Sequence, residues 1–149
     1  MDSRDLPASG RFVGRTHRFP VRVYFEDTDL SGIVYHANYL RYMERARSDM
    51  LRVAGIDQRA THEAGDGVYA VADLRIRYRR PARLDDDLLV VTRLTRITAP
   101  AVHIHQTVMR GDEMLTEAEV LAAFVSPEGR PRRQPRAWID RFAELLEEA

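Results

Sequence analysis

The sequence has no cysteine, no excess of either charge and no long apolar run. Without cysteine, the chain of 149 residues can form no disulfide, no thiolate metal site and no cysteine nucleophile. Lysine and arginine together number 23, as do aspartate and glutamate, so no overall field draws the protein to nucleic acid. Because residues 1–15 lack the apolar run of a signal peptide or a membrane helix, we expect a cytoplasmic protein with no integral membrane segment.

The length and the apolar content fit one domain of ordinary size. Hydrophobic residues make up 44% of the chain, which is enough for a sizeable core. We expect residues 1–15 to be a disordered or extended leader and residues 16–149 to form a single domain. Trp138, Phe142 and Leu145 recur at helical spacing near its end, which predicts a short C-terminal helix.

A long amphipathic helix is predicted between about Tyr39 and Ala54. Its apolar residues recur every three or four positions: Tyr39, Met43, Ala46, Met50 and Val53. Asn38 is the predicted N-cap, because its side chain can accept a bond from an orphan amide, and Gly55 is the predicted stop.

Five segments alternate between apolar and polar residues, as strands with one buried face do. The first runs from Arg18 to Glu26, with its inward face at Phe19, Val21, Val23 and Phe25. The other four inward faces are predicted at Val68, Ala70, Ala72, Leu74, Ile76 and Tyr78; Leu88, Val90, Thr92 and Leu94; Val102, Ile104, Gln106 and Val108; and Val120, Ala122 and Phe124. A hairpin turn at residues 110–113 favours antiparallel neighbours, so the class is α+β with a sheet that covers the helix.

The segment from Tyr24 to Arg52 carries a more specific signal. It contains Glu-Asp-Thr-Asp at 26–29, Gly-Ile-Val-Tyr-His-Ala-Asn-Tyr at 32–39 and Glu-Arg-Ala-Arg at 44–47. These motifs resemble the signature of hotdog-fold thioesterases related to 4-hydroxybenzoyl-CoA thioesterase. More narrowly, they resemble the YbgC-like, Tol-Pal-associated acyl-CoA thioesterases.

The resemblance extends from roughly Phe19 to Pro135 and implies a fold. That fold is the hotdog, a five-stranded antiparallel sheet wrapped around a long central helix. In the family the sheets pair into dimers and often tetramers, so we expect a homo-oligomer, with a homotetramer as the larger form.

The resemblance also implies a catalytic site. A thioester hydrolase needs an oxygen that attacks the carbonyl carbon and donors that hold the charge developing on the carbonyl oxygen. Asp29 matches the family's catalytic carboxylate, and both routes open to it, direct attack and activation of a water, remain candidates. The backbone amide of His36 is implied as the oxyanion donor, since free amides and a positive dipole end lie at the start of a helix. The His36 side chain is a further candidate.

Other residues near these motifs are candidates for substrate binding. They are Tyr24, Gly32, Val34, Tyr35 and Asn38, although an aromatic residue beside a first strand can equally belong to the core. Asp27 fits a role in bracing the loop better than a chemical one. His103 and His105 lie on one strand face with no apparent third ligand, so we expect them to be surface or interface histidines and not a metal pair. Thioester hydrolysis by a carboxylate needs neither a metal nor a redox cofactor, and we expect none.

The function expected from the sequence is hydrolysis of an acyl-CoA to a free acid and coenzyme A. Coenzyme A is then part of the substrate, and acyl carrier protein is a second candidate carrier. Two alternatives stay open: a non-catalytic module that binds acyl-CoA or an acyl carrier, and a hotdog dehydratase or hydratase. The last would need a histidine base with a partner carboxylate.

Overall fold

A six-stranded antiparallel sheet packs against one long helix in the computed structural model, which describes residues 1–147. The strands are β1 (Arg11–Val13), β2 (Thr16–Arg22), β3 (Val68–Tyr78), β4 (Asp87–Ile97), β5 (Ala101–Arg110) and β6 (Glu113–Val125), in the order β1-β2-β4-β5-β6-β3. The helices are α1 (His36–Val53), α2 (Gln58–Glu63) and α3 (Arg136–Leu145). The predicted α+β hotdog class is confirmed, with β1 as a short sixth strand at one edge.

Helix α1 is the centre of the core and packs on β2, β4 and β5. Four residues of its predicted apolar stripe are buried: Tyr39, Met43, Ala46 and Met50. Val53 is 38% exposed, because the helix ends there. The helix begins at His36, with Tyr35 as its N-cap, so the prediction that Asn38 caps it is wrong.

The predicted inward faces of β4, β5 and β6 are all buried. They include two polar side chains, Thr92 and Gln106, whose burial needs hydrogen-bond partners. The Gln106 amide donates from Nε2 to the Met43 carbonyl oxygen and to Thr92 Oγ1, at 3.0 Å each. These bonds tie α1 to the middle of the sheet.

Strand β3 departs from its predicted alternation. Its pairing with β6 shifts between Val71 and Asp73, which leaves an extra residue in β3. Such a bulge moves the following side chains to the opposite face. Before the bulge Tyr69 therefore packs on the core, and the prediction that Val68 and Ala70 face inward is wrong, whereas Leu74 and Ile76 pack on the core after it as predicted.

The first long strand also ends earlier than predicted. Strand β2 stops at Arg22, and Phe25, predicted to face the core, is 82% exposed. Val23 instead bonds through its backbone to the turn before β4, accepting from Asp85 and donating to Asp86, at 3.0 Å each. Residues 25–27 then form a short 3₁₀ turn.

The predicted leader, residues 1–15, contains β1 and a buried tie to α1. Gly10 donates its backbone N–H to Asp49 Oδ2 at 2.9 Å, and His17 Nε2 lies 2.8 Å from the same oxygen. A side chain at Gly10 would place its Cβ 2.4 Å from the Arg18 carbonyl oxygen, so only glycine fits. Among residues 1–147, no helix is both long and apolar enough to cross a membrane.

The buried pair of His17 and Asp49 predicts an acid-sensitive stability. Burial lowers the pKa of His17. The hydrogen bond and the charge of Asp49 act in the opposite direction but do not outweigh burial. Below pH ~6.5 the unfolded chain takes up a proton that the folded chain does not, so the free energy of unfolding falls by up to ~1.4 kcal/mol per pH unit. Urea unfolding at several pH values between 7 and 5 measures this loss.

The variant His17→Gln removes the titrating group and keeps a donor for Asp49. Its stability should fall less between pH 7 and pH 5 than that of the unchanged protein. His62→Gln, at an exposed position of α2, serves as the control. Parallel curves for all three proteins would contradict the prediction.

Candidate active site

Asp29 lies in a tight loop that leads into helix α1. The Asp29 N–H donates to the Ile33 carbonyl oxygen at 2.9 Å, and Gly32 donates back to the Asp29 carbonyl oxygen at 3.0 Å. Gly32 has φ +80°, a conformation that favours glycine, so this residue closes the turn. Thr28 and Val34 form a bridge across the base of the loop.

The carboxylate of Asp29 is exposed and keeps one oxygen available. Asp29 Oδ1 accepts the Ser31 N–H at 2.8 Å and the Ser31 hydroxyl. Oδ2 receives no hydrogen bond from residues 1–147. The hydrogen bonds from Ser31 lower the pKa of Asp29, so the group is ionised at neutral pH. Asp29 can therefore act as a nucleophile or as a base with its second oxygen.

The carboxylate of Asp27 is buried and holds the two ends of the loop together. Its Oδ2 accepts the Tyr24 N–H, and its Oδ1 accepts the Asn38 side-chain amide, each at 2.9 Å. The Asp27 carbonyl oxygen also accepts the Tyr35 N–H at 2.9 Å. Burial and the neighbouring Asp27 carboxylate raise the pKa of the Tyr42 hydroxyl in α1. Asp27 thus fixes the path from β2 to the helix.

The first turn of α1 offers free backbone donors. Tyr35 caps the helix without a side-chain hydrogen bond, and the amides of His36 and Ala37 have no acceptor among the described residues. Unsatisfied amides at a helix N-terminus attract negative charge. The predicted oxyanion donor, the amide of His36, lies in this turn, and its assignment stays a prediction.

The predicted substrate-binding residues fall into two groups. Tyr24, Gly32 and Tyr35 are exposed around the loop, where they can meet a ligand. Val34 is buried in the core, and Asn38 is buried with its amide on Asp27 and its Oδ1 accepting from Arg41 at 2.6 Å. The side chains of this second group are committed to holding the loop, and a role in binding stays a prediction.

Two contacts of the site have little or no signal in the sequence. Ser31 bonds to Asp29 in the pattern of an Asx turn, which the spacing of two residues could have indicated. Tyr78, at the end of β3, donates its hydroxyl to the His36 carbonyl oxygen at 2.9 Å. Because 42 residues separate these two, no local pattern predicts the contact.

Apolar side chains surround the loop and remain exposed. Those that lie on the loop and its flanks are Tyr24, Phe25, Leu30 and Tyr35, and Leu84 comes from the turn before β4. The turn lies against the loop, since Ile33 bridges to Arg83 and Val34 donates to the Ala82 carbonyl oxygen at 2.9 Å. An exposed apolar surface of this kind marks a binding or association site.

The histidines considered as a metal pair lie on the outer face of the sheet. The Arg93 guanidinium lies 3.0 Å from His105 Nδ1, and Glu117 lies 3.3 Å from Nε2. Within residues 1–147, no three side chains of the types that bind metals come together in one group. His105 belongs to a surface network of charges with Arg93 and Glu117.

Comparisons with known proteins all lead to thioesterases. A model of the thioesterase-like superfamily matches residues 23–146. The acyl-CoA thioester hydrolase YbgC of Escherichia coli is 39% identical over 129 residues, which cover 85% of this chain and 96% of that protein. The acyl-CoA thioesterase YbgC of Haemophilus influenzae is 42% identical over 107 residues, which cover 72% and 79%. A solved structure of a probable thioesterase from Bartonella henselae superposes with a TM-score of 0.76 at 38% identity, covering 80% of this chain and 99% of that one.

The bracing role of Asp27 is testable by one substitution. In Asp27→Asn an amide replaces one acceptor oxygen, so either Tyr24 or Asn38 loses its partner inside the protein. We expect the free energy of unfolding to fall by about 1–3 kcal/mol, the range for a buried group left unsatisfied. Asp87→Asn, which changes an exposed ion pair with Arg22, is the control and should cost below ~1 kcal/mol. If urea unfolding shows the same loss of unfolding free energy in both variants, Asp27 does not brace the loop.

Proposed function

We propose that this protein, which belongs to the thioesterase-like superfamily and within it to the YbgC acyl-CoA thioesterases, hydrolyses an acyl-CoA to a free acid and coenzyme A. One observation carries the proposal. Asp29 presents an ionised carboxylate with a free oxygen, on a loop that runs directly into the N-terminus of α1, where no side chain bonds to the free amides. An attacking group and a donor for the developing oxyanion are the two requirements of thioester hydrolysis.

The reaction follows one of two routes from this arrangement. In the first, Asp29 takes a proton from water, and the water oxygen bonds to the carbonyl carbon. In the second, Asp29 itself attacks, and water then cleaves the mixed anhydride. In both, the carbon–sulfur bond breaks and the thiolate of coenzyme A leaves and is protonated. The amides of the first helical turn hold the negative charge on the carbonyl oxygen, a contribution of about 10²–10³ in rate for one donor.

The carrier in this proposal is coenzyme A. The two YbgC relatives are named for acyl-CoA, and acyl carrier protein is the second candidate. The same acyl group presented on each carrier in one assay distinguishes them. A higher kcat/KM on the carrier protein would replace coenzyme A in the proposal.

The active form is proposed to be an oligomer joined through β3. This strand lies at the edge of the sheet, so the backbone groups along its outer side are not used by a neighbouring strand. An unpaired edge of 11 residues readily pairs with another strand. A second copy related by a two-fold axis would continue the sheet. The partly exposed Leu89, Val91 and Met109 on the outer face of the sheet could then join two dimers.

The role of Asp29 is tested by Asp29→Asn. The amide keeps the shape of the side chain but can neither attack nor take a proton, so we expect kcat for acyl-CoA esters to fall by at least ~10²-fold. Release of free thiol from a panel of aliphatic and aromatic acyl-CoA esters measures this. Asp57→Asn, which changes another loop carboxylate at the N-cap of α2, should keep its activity.

The same panel separates the alternative functions. Tight binding of acyl-CoA by the unchanged protein without turnover would favour a binding module. Full activity in a folded Asp29→Asn protein would remove Asp29 from the mechanism. Loss of an enoyl or hydroxyacyl group with no release of thiol would favour a hydratase or dehydratase.

The oligomer is tested by its mass in solution. Light scattering after size exclusion should give two or four times the 17.2 kDa of one chain across the micromolar range. Pairing through β3 should also protect from hydrogen exchange those amides of Val68–Tyr78 that point away from β6. A monomer with full thioesterase activity would contradict the proposed assembly and leave the proposed activity intact.

A further inference from the structure

A cavity of about 120 Å³ lies between the middle of α1 and the beginning of β3. Met50, Ile104 and Phe142 from the core form its floor, and Tyr69 and Val71 of β3 form one wall. A cavity of ~150 Å³ holds benzene, so this smaller one has room for a short run of carbons. Within one chain this cavity is remote from Asp29. Arg47, on the rim of the cavity, lies about 16 Å farther along the axis of α1 than His36, at 1.5 Å per helical residue.

Arg47 gives this apolar cavity one cationic group. Its Nη1 donates to Gln106 Oε1 at 2.9 Å, and that is the only hydrogen bond that the Arg47 side chain makes to residues 1–147. Gln106 is held in this orientation by its two donated bonds to Met43 and Thr92. The guanidinium is partly buried and forms no ion pair within the described part of the chain, so its remaining N–H donors can bond to an acceptor that enters from outside.

The proposed pairing of β3 places the cavity of one copy at the catalytic loop of the other. Tyr78, at the end of β3, contacts His36, whereas Tyr69 and Val71, near its beginning, line the cavity. An antiparallel pairing centred on Asp73 keeps all 11 residues of β3 paired and sets residue 78 opposite residue 68 of the second copy. Paired strands lie about 4.8 Å apart, so the two features become neighbours.

We propose that this cavity receives the distal end of the acyl group held by the partner's catalytic loop, and that Arg47 selects acyl groups ending in an oxygen acceptor. The proposal rests on the hydrolase activity and the β3 pairing proposed above. Glu44 also lies on the rim. A hydroxyl can accept from Arg47 and donate to Glu44, whereas a carboxylate would meet the negative charge of Glu44. The favoured substrates are therefore short acyl groups with a distal hydroxyl.

The test compares kcat/KM for three matched thioesters. They are hexanoyl-CoA, its ω-hydroxy derivative and adipoyl-CoA, which carries a distal carboxylate. We expect the unchanged protein to prefer the ω-hydroxy ester over hexanoyl-CoA by about tenfold or more, the scale of one hydrogen bond to a charged group. In Arg47→Met this ratio should fall to near one, with hexanoyl-CoA hydrolysis retained.

Arg52→Met is the matched control, because Arg52 is an exposed arginine of the same helix that does not line the cavity. It should keep the full preference. If Arg47→Met does not fold, Arg47→Gln carries the test, since it keeps two donors without the charge and should show a reduced preference. The mass of each variant in solution accompanies every measurement.

Several results would overturn the assignment. Hydrolysis of hexanoyl-CoA with no preference for the ω-hydroxy ester, or a preference that survives in Arg47→Met, would refute the subsite and leave the thioesterase activity standing. A change of Arg47→Met to a monomer would make Arg47 an interface residue instead. Preference for adipoyl-CoA would overturn the role of Glu44. Hydrolysis of none of the three would refute the proposed function and the subsite together.

Discussion

The buried carboxylate of Asp27 is the contact on which the site depends. It accepts hydrogen bonds from Tyr24, before the loop, and from Asn38, inside the first turn of α1. A buried carboxylate is costly unless its oxygens are bonded, so these donors and Asp27 hold one another in place. The loop between them can then expose Asp29 without losing its position relative to the helix.

The loop is fixed on its other side by a segment far away in the chain. Val34 donates to the carbonyl oxygen of Ala82, and Ala82 in turn donates to the hydroxyl of Tyr39, each at 2.9 Å. The crossover from β3 to β4 therefore supports both the loop and the helix start. Groups that act on a substrate work best when rigid elements hold them, and here a turn, a helix and a buried carboxylate together hold the loop of the candidate residue Asp29.

Local patterns predicted those parts of the fold in which one period continues without interruption. The alternation in β4, β5 and β6 and the helical stripe of α1 identified most of the core, and the motifs around Asp29 identified the candidate site. The pattern failed at Val68, Ala70 and Ala72, because the bulge of β3 reverses the alternation between the residues before it and those after it. It failed at Phe25 because backbone bonds from Val23 to a distant turn end β2 early. The tie of Gly10 to Asp49 spans 39 residues and has no local signal.

An exposed carboxylate alone makes a poor catalytic site. Electrostatic stabilisation of an oxyanion is strong only where water is excluded, and Asp29 and the first turn of α1 lie at the surface of a single chain. The apolar side chains around the loop and the free edge of β3 lie at the same end of the molecule, joined by the contact of Tyr78 with His36. A second copy that pairs with this edge would cover the apolar surface and dry the site in one step. Because a single chain leaves the site open to water and one pairing would close it, we favour a catalytic unit larger than one chain.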